Sequence, residues 1–409
     1  MYRIGGWKLR TVRELVSKEE NKKLLSNSRL IIFQHLLEDT KEFIDHILES
    51  GAEIDCVFGK EYSIDESVRS YLEERGLKVV NLKYSELEKS SVLTDVLIRS
   101  LRIAKLNNQK VIIHEVGGYF NKAIQNIPTD LQPFFAGVVE DTTFGYNKYK
   151  QIENELLCPV YHVARSPLKE IEAYFVGEAI VLAFNNLMRS FGVSLPGREA
   201  LVIGYGMIGR NISKSLELNN IYTTVYDTDR LKMLDAYING HKILSSLDEE
   251  ELSKYDLIIS ATGQKAVDFE TLSRLKQGVI LVSGGSKDTE FDMKTLKSKA
   301  QSVEVINSEV KVYKIFCESE VKEIIVLRDG TALNFREKSV PSEVIDLVYS
   351  EIVVCILTLL KQQRDPGLHE LSHAKWSTIA ENWLFNLLGH QTVHITKGNK
   401  REELMRSVQ

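Results

Sequence analysis

Cysteine is scarce in this chain of 409 residues. Cys56, Cys158, Cys317 and Cys355 lie far apart and form no CxxC pair. That spacing excludes a disulfide framework and a zinc knuckle, and it fits a reducing compartment, so a cytoplasmic protein is expected. A basic surplus is also missing: the formal net charge is -5. Nucleic-acid binders usually carry such a surplus, so no nucleic-acid partner is expected. The apolar runs near the end fall well short of the roughly 18 residues needed to cross a membrane. The longest near the end, Ile352 to Leu360, stops at Lys361 and reads as a buried helix, and no membrane partner is expected. The N-terminal MYRIGGWKLR lacks the apolar stretch of a signal peptide. His369 and His373 are four apart without the glutamate of HExxH between them, and His390 stands apart, so no metal site is expected.

What is present is alternation. Residues 1–28 are charged with a helical pattern and read as a solvated segment. Leu30 to Phe33, Ile54 to Phe58, Lys78 to Leu82 and Val111 to His114 read as strands. Leu36 to Glu49 and Asp65 to Arg75 read as helices, stopped by Gly51 and Gly76. An amphipathic segment over 177–192 is broken by Pro196 and Gly197. A second series follows: Ala200 to Ile203, Tyr222 to Tyr226, Leu257 to Ser260 and Val279 to Val282. Strands alternating with helices of this length predict α/β architecture: two doubly wound parallel-sheet domains. The expected division is 1–175 plus 345–409 for the first domain and 176–344 for the second, with the helical end returning to the first.

Gly204-Tyr205-Gly206-Met207-Ile208-Gly209 is a GxGxxG turn between an apolar strand and a helix carrying Ile212 and Leu216 on one face. Gly204 permits the tight turn, Gly206 lets backbone approach a pyrophosphate, and Gly209 lets helix and strand pack closely. Met207 and Ile208 open the helix, whose N-terminus offers N–H groups and a positive dipole end to the phosphates. Asp227 lies 23 residues after Gly204, at the end of the next strand. Its carboxylate accepts from ribose hydroxyls and repels a 2′-phosphate, which favours NAD as cofactor and makes the second domain, 176–344, a Rossmann NAD-binding domain and the first the substrate domain; Arg230 softens that preference. Thr262 and Gly263 end one strand and Ser283, Gly284 and Gly285 the next, where small residues admit a nicotinamide or simply form turns.

From about residue 30 to residue 350 the chain resembles S-adenosylhomocysteine hydrolases, most strongly from Gly197 to Asp292. Glu140 to Gly145 is similar to that family's Glu-Glu-Thr-Thr-Thr-Gly segment, Glu115 to Gly118 to its Asp-Asp-Gly-Gly, and Ser166 to Lys169 to its Ser-Val-Thr-Lys. His35, 16 residues before Gly51-Ala52-Glu53, has the spacing of its substrate-domain histidine, and Asn334 matches an asparagine near the cofactor. The resemblance implies tightly held NAD, oxidation of a nucleoside 3′-hydroxyl, thiol elimination, water addition and reduction back, in an oligomer. It also has departures. Family aspartates are replaced by Val116 and Ala173, the second glutamate by Asp141, an asparagine by Tyr174, a cysteine by Glu178 and a histidine by Ser286. Gly-His-Pro reads Ser339-Val340-Pro341, and the tail Arg401 to Gln409 lacks the family's Lys and Tyr.

Among the remaining polar residues, Lys169 is the candidate base, provided burial lowers its pKa toward neutrality. Asp141 holds a ribose hydroxyl, orients Lys169 or caps a turn, and Glu140 carries the same alternatives. His35 serves leaving-group chemistry or is structural. Thr142 and Thr143 bond the nicotinamide half or pack. Three functions stand open: an NAD-dependent enzyme acting on a nucleoside-like alcohol, with elimination or hydrolysis of a thioether; a non-catalytic NAD-binding sensor or partner of an active homologue; and a D-2-hydroxyacid-type dehydrogenase. For the last, Arg328 and Glu343 are present, but no histidine lies between His241 and His369.

Overall fold

The apolar run expected around Leu30 becomes an inner strand of the first sheet, buried along nearly its whole length, as a strand covered by helices on both faces must be. The computed structural model describes residues 7–83, 87, 91–247, 250–285, 289–317, 320–336, 339–362 and 364–388. Ser286, His390 and Arg401 to Gln409 lie outside the described residues.

The first half of the chain runs α1 (Arg10–Ser17), α2 (Glu19–Leu25), β1 (Ser28–Leu36), α3 (Glu38–Glu49), β2 (Glu53–Ile64), α4 (Glu66–Glu74), β3 (Val79–Leu82), α5 (Val92–Asn107), β4 (Lys110–Glu115), α6 (Asn121–Gln125), β5 (Phe135–Glu140), α7 (Thr143–Gln151) and β6 (Pro159–His162). The long α8 (Pro167–Ser190) leads to β7 (Glu199–Ile203), α9 (Met207–Leu218), β8 (Tyr222–Tyr226), α10 (Arg230–Ile238), β9 (Lys242–Ile243), β10 (Leu257–Ser260), α11 (Phe269–Arg274), β11 (Val279–Ser283) and α12 (Met293–Lys299). Then come β12 (Ala300–Val305), β13 (Val310–Cys317), β14 (Glu320–Leu327), α13 (Ser342–Lys361), β15 (Gly367–His369) and α14 (His373–Leu388).

Two sheets result. The first has the order β15-β6-β5-β4-β1-β2-β3, with parallel neighbours throughout. The second has the order β12-β13-β14-β11-β10-β7-β8-β9. It is parallel from β14 to β9 and ends in antiparallel β12 and β13, a hairpin edge that the apolar pattern does not announce. Apolar clusters fill both faces of each sheet. In both sheets the order reverses at one place, between β1 and β4 in the first and between β7 and β10 in the second. Ligands of doubly wound sheets bind beyond the strand ends at such switch points. The first switch point carries His35, the second the glycine-rich turn.

The helix expected over 177–192 begins instead at Pro167. Proline suits a first helical turn, and Ser166 caps it by accepting from the Lys169 N–H at 3.0 Å. This helix is long and apolar enough to cross a membrane, but 61% of its apolar window is buried inside the fold. Gly177 lies against α9, where a Cβ would come within 2.7 Å of Asn211.

Of the segment 1–28 read as solvated, the described part, residues 7–28, is docked on the fold. Val12, Leu15 and Val16 of α1 are buried in the first core with α13. Asp346 of α13 accepts from the Thr11 N–H (2.9 Å), the Val12 N–H (3.0 Å) and the Trp7 indole (2.5 Å). It thereby caps a helix whose own N-cap, Leu9, has no capping oxygen. Asp346→Ala is expected to lower unfolding stability by about 2–3 kcal/mol, since three donors lose one buried acceptor. Urea melts measure this, and an unchanged midpoint would mean that α1 docks through its apolar face alone.

Candidate active site

Four strand ends and one helix converge at the first switch point. Asp141 follows β5, with its N–H on the Glu115 carbonyl of β4 at 3.0 Å. Lys169 stands in the first turn of α8, fixed by the Ser166 cap. Ser166 in turn donates to Glu351 of α13 at 2.6 Å, and Glu351 also accepts from the Trp376 indole at 2.6 Å. Burial pushes Glu351 up to about 7, against its two hydrogen bonds.

The Lys169 ammonium lies 2.8 Å from Asp141 and 2.7 Å from Glu172. Burial works against its charge, but the two carboxylates outweigh it and the Lys169 pKa is raised. The expected fall toward neutrality is therefore overturned: Lys169 is a held ammonium ion. Burial alone would push Asp141 up, yet Lys169 draws it below the usual carboxylate range. Glu172 is raised, by burial ahead of the pull of Lys169. Gln34 reaches the other Asp141 oxygen at 3.5 Å.

His35 ends β1 with Nδ1 hydrogen-bonded to the Ser63 hydroxyl of β2. Its ring packs on Phe335 at 4.6 Å between centroids and edge-on to Tyr62 at 5.8 Å. Burial first, and then Lys60 and Lys169, hold its pKa well below the ordinary histidine value, so the imidazole is neutral. Phe335 follows Asn334, whose amide donates to Ser339 at 2.6 Å, and this loop brings the second half of the chain over His35. His114, on β4, is fully buried beside this cluster. Burial lowers it to about 4, although Asp141 favours its charge.

Glu140 is spent on donors of two neighbouring turns. It accepts from the Gly117 N–H (3.0 Å), the Gly118 N–H (2.9 Å), the Thr142 N–H (2.7 Å) and the Thr142 hydroxyl (2.6 Å). Burial, and then Glu115, push it up to about 8. Thr142 also caps α7 through the Gly145 N–H, and Thr143 is exposed on its first turn. Val116 and Ala173, where the resemblance expects aspartates, are buried and apolar.

At the second switch point the turn takes the expected form. Gly204 has φ +94°, a left-handed value that favours glycine. A Cβ at Gly209 would meet the Gly204 carbonyl oxygen at 1.8 Å, whereas one at Gly206 would meet nothing within 4 Å. The helix behind, α9, has no side-chain cap, so Met207 and Ile208 begin it with free N–H groups over that space. Asp227 is pinned by the Tyr205 N–H (2.7 Å) and the Asp229 N–H (2.9 Å), with Lys232 at 3.6 Å. These features fit a dinucleotide pyrophosphate and ribose.

Further along, the sequence reading missed Glu290. Its buried carboxylate takes the Ser260 hydroxyl (2.6 Å), the Thr262 N–H (3.0 Å) and hydroxyl (2.7 Å), and the Gly263 N–H (2.7 Å). Thr262 and Gly263 thus form a braced turn. A Cβ added at Gly284 would crowd Ile212 (3.0 Å) and Ala261 (3.1 Å), one added at Gly285 would meet the Glu290 carboxylate, and Ser283 is buried. Glu172 was missed as well, although a glutamate three residues after Lys169 on one helix face signals an ion pair. Among the described residues no group of acidic, histidine and cysteine side chains can hold a metal.

The family model described as the S-adenosyl-L-homocysteine hydrolase NAD binding domain matches residues 174–339. The chain is 26% identical to an adenosylhomocysteinase of Sulfurisphaera tokodaii over 82% of this chain and 78% of that one. It is 23% identical to an S-inosyl-L-homocysteine hydrolase of Methanopyrus kandleri over 85% and 80%. A solved phosphoglycerate oxidoreductase from Vibrio cholerae has a TM-score of 0.43 and 12% identity, covering 81% of this chain and 99% of that one.

Proposed function

The chain is a diverged member of the S-adenosyl-L-homocysteine hydrolase family, and on that premise we propose that it is an NAD-dependent enzyme acting on the secondary hydroxyl of a nucleoside-like substrate. The observation that carries this reading is the buried Asp141–Lys169–Glu172 set beside a neutral His35 at the first switch point. The loss of an aspartate at Ala173 argued for a dead site. Glu172, one position earlier on the same helix, restores a second carboxylate to Lys169, and a purely structural fold has no need of a buried charge triad that costs desolvation.

NAD, when held by Gly204 to Gly209 and Asp227, supplies a hydride acceptor. The residues of the chain supply the rest. The Lys169 ammonium donates to the substrate hydroxyl oxygen and stabilises the negative charge that develops there. Asp141 and Glu172 hold that ammonium in place and keep it charged. With Nδ1 engaged by Ser63, His35 accepts the hydroxyl proton at Nε2. Phe335 covers His35 and excludes water from the reacting oxygen. The same groups serve the finer step, loss of a thiol from the oxidised ribose, if the ionised Asp141 takes the proton from the carbon next to the new ketone, the carbon–sulfur bond breaks, and His35 passes its proton to the departing sulfur. A 2-hydroxyacid also presents a secondary alcohol to this layout and is the second substrate class to test.

Purified protein should be incubated with S-adenosylhomocysteine, S-inosylhomocysteine, adenosine and a set of 2-hydroxyacids, then denatured and its nicotinamide assayed. Reduced cofactor with a nucleoside is the expected result. Reduced cofactor only with a 2-hydroxyacid replaces the substrate class, and oxidised cofactor throughout favours the non-catalytic reading.

A further inference from the structure

Glu351 takes no part in the chemistry above, yet it is fully buried in the middle of α13, among apolar neighbours such as Val348, Ile352 and Ile356. A carboxylate persists in such a place only where its oxygens are met. Both are. One accepts from the Ser166 hydroxyl at 2.6 Å and the other from the Trp376 indole at 2.6 Å. Ser166 is itself buried, and its oxygen accepts from the Lys169 N–H at 3.0 Å. A continuous chain of hydrogen bonds therefore runs from α14 through α13 to the first turn of α8: Trp376 N–H, Glu351 carboxylate, Ser166 hydroxyl, Lys169 N–H.

We propose that Glu351 is the positioning residue of Lys169 and that the C-terminal helix α14 is tied to the active site through it. The Ser166 hydroxyl has a single proton. Ionised Glu351 can only accept, so that proton is turned toward it and a lone pair is left for the Lys169 N–H. The negative charge strengthens both hydrogen bonds and lies near the positive, N-terminal end of α8. A protonated Glu351 gives one oxygen to its own proton, which then competes with the indole or the hydroxyl as donor. The start of α8 is held less firmly, and Lys169 with it. Among the described residues, the charged groups facing Glu351 are Lys169 of α8, which favours its ionised form, and Asp141 after β5, which opposes it. Cys355, four residues on along α13, is a neutral thiol raised by burial, and Lys375 of α14 faces that thiol. The role rests on the reading of Lys169 as the group that meets the substrate hydroxyl.

Two measurements on the NAD-loaded full chain and its Glu351→Gln and Trp376→Phe variants test it. The first is the pH profile of substrate-driven cofactor reduction. The wild type is expected to lose rate as pH falls through neutrality, where Glu351 takes up its proton. His35 is held too low and Lys169 too high to give that limb. Glu140, pushed up to about 8, is engaged by the turns at Gly117 and Thr142 rather than by α8, so only the limb of Glu351 responds to these variants. A 1 Å misplacement costs on the order of 100-fold in rate, so Glu351→Gln, which keeps the shape and loosens the tether, is expected to lower kcat about 10-fold, leave KM within about twofold and remove the limb. Trp376→Phe takes a donor from the ionised form and is expected to move the limb to higher pH. The second measurement, amide hydrogen exchange in the first turn of α8, needs no substrate. Protection there is expected to fall about 10-fold in Glu351→Gln while the middle of α13 stays protected. No cofactor reduction with any substrate overturns the proposed function and leaves exchange to decide on Glu351. Unchanged exchange at that turn in a folded Glu351→Gln chain overturns the positioning role, and so does a limb that stays in place in both variants.

Discussion

Gly206→Val is expected to leave the fold intact and to weaken NAD binding by about 100-fold. The site of the new side chain is open on the protein side, since a Cβ there meets nothing within 4 Å. The only thing it displaces is a ligand lying on the first N–H groups of α9. Hydrogen bonds to a charged group contribute ~1.5–3 kcal/mol each, so losing one or two gives roughly two decades in affinity. Gly209→Val, three residues on, is expected to fail differently. Its Cβ falls 1.8 Å from the Gly204 carbonyl oxygen, so helix and strand must separate, and the chain loses upwards of ~3 kcal/mol of stability. Calorimetric NAD titration and thermal melts separate the two outcomes. Wild-type affinity in a folded Gly206→Val chain would place the cofactor somewhere other than this turn.

Much of this was legible in the sequence, for reasons that differ by element. Strands such as Tyr222–Tyr226 and Leu257–Ser260 have the expected bounds because they are short apolar runs between clear breaks. The GxGxxG turn was legible because each glycine answers a local demand of φ or close approach. Other features are tertiary. Asp346 caps α1 from 335 residues away, and no local pattern marks that pairing. Glu290 likewise reaches back to Thr262 across the sheet. Strands β5 and β6 were overlooked because Ala136 and Gly137 interrupt the apolar run of Phe135–Glu140, and Pro159–His162 opens on proline and closes on histidine. The most consequential error concerned Lys169. Desolvation was foreseen, but the second carboxylate was not, and it is the sum of Asp141 and Glu172 that reverses the direction of the shift.

That reversal yields the second large effect. Lys169→Met is expected to abolish substrate-driven cofactor reduction and to lower stability by about 3–5 kcal/mol at neutral pH, because it leaves Asp141 and Glu172 buried together without a cation. The pH dependence distinguishes this from lost packing. Without the ammonium, burial and mutual repulsion raise both carboxylates in the folded state above their unfolded values. A group raised in this way favours the folded state at pH values below its unfolded pKa, and that benefit is lost as pH rises through the folded pKa. The wild type behaves oppositely at Asp141, whose lowered pKa gives stability present above the unfolded value and lost as pH falls through the folded one. The gap between wild type and variant should therefore be widest near neutrality and close steadily in acid. Urea melts at a series of pH values between neutrality and the carboxylate range measure it. A gap of constant size would mean that Lys169 acts through its methylenes, and the charge triad would then lose its place in the proposed chemistry. Glu172→Gln supplies the complementary test. It keeps a hydrogen-bond acceptor for Lys169 and removes one buried charge, so it should leave stability close to wild type while lowering the pH at which Lys169 loses its proton.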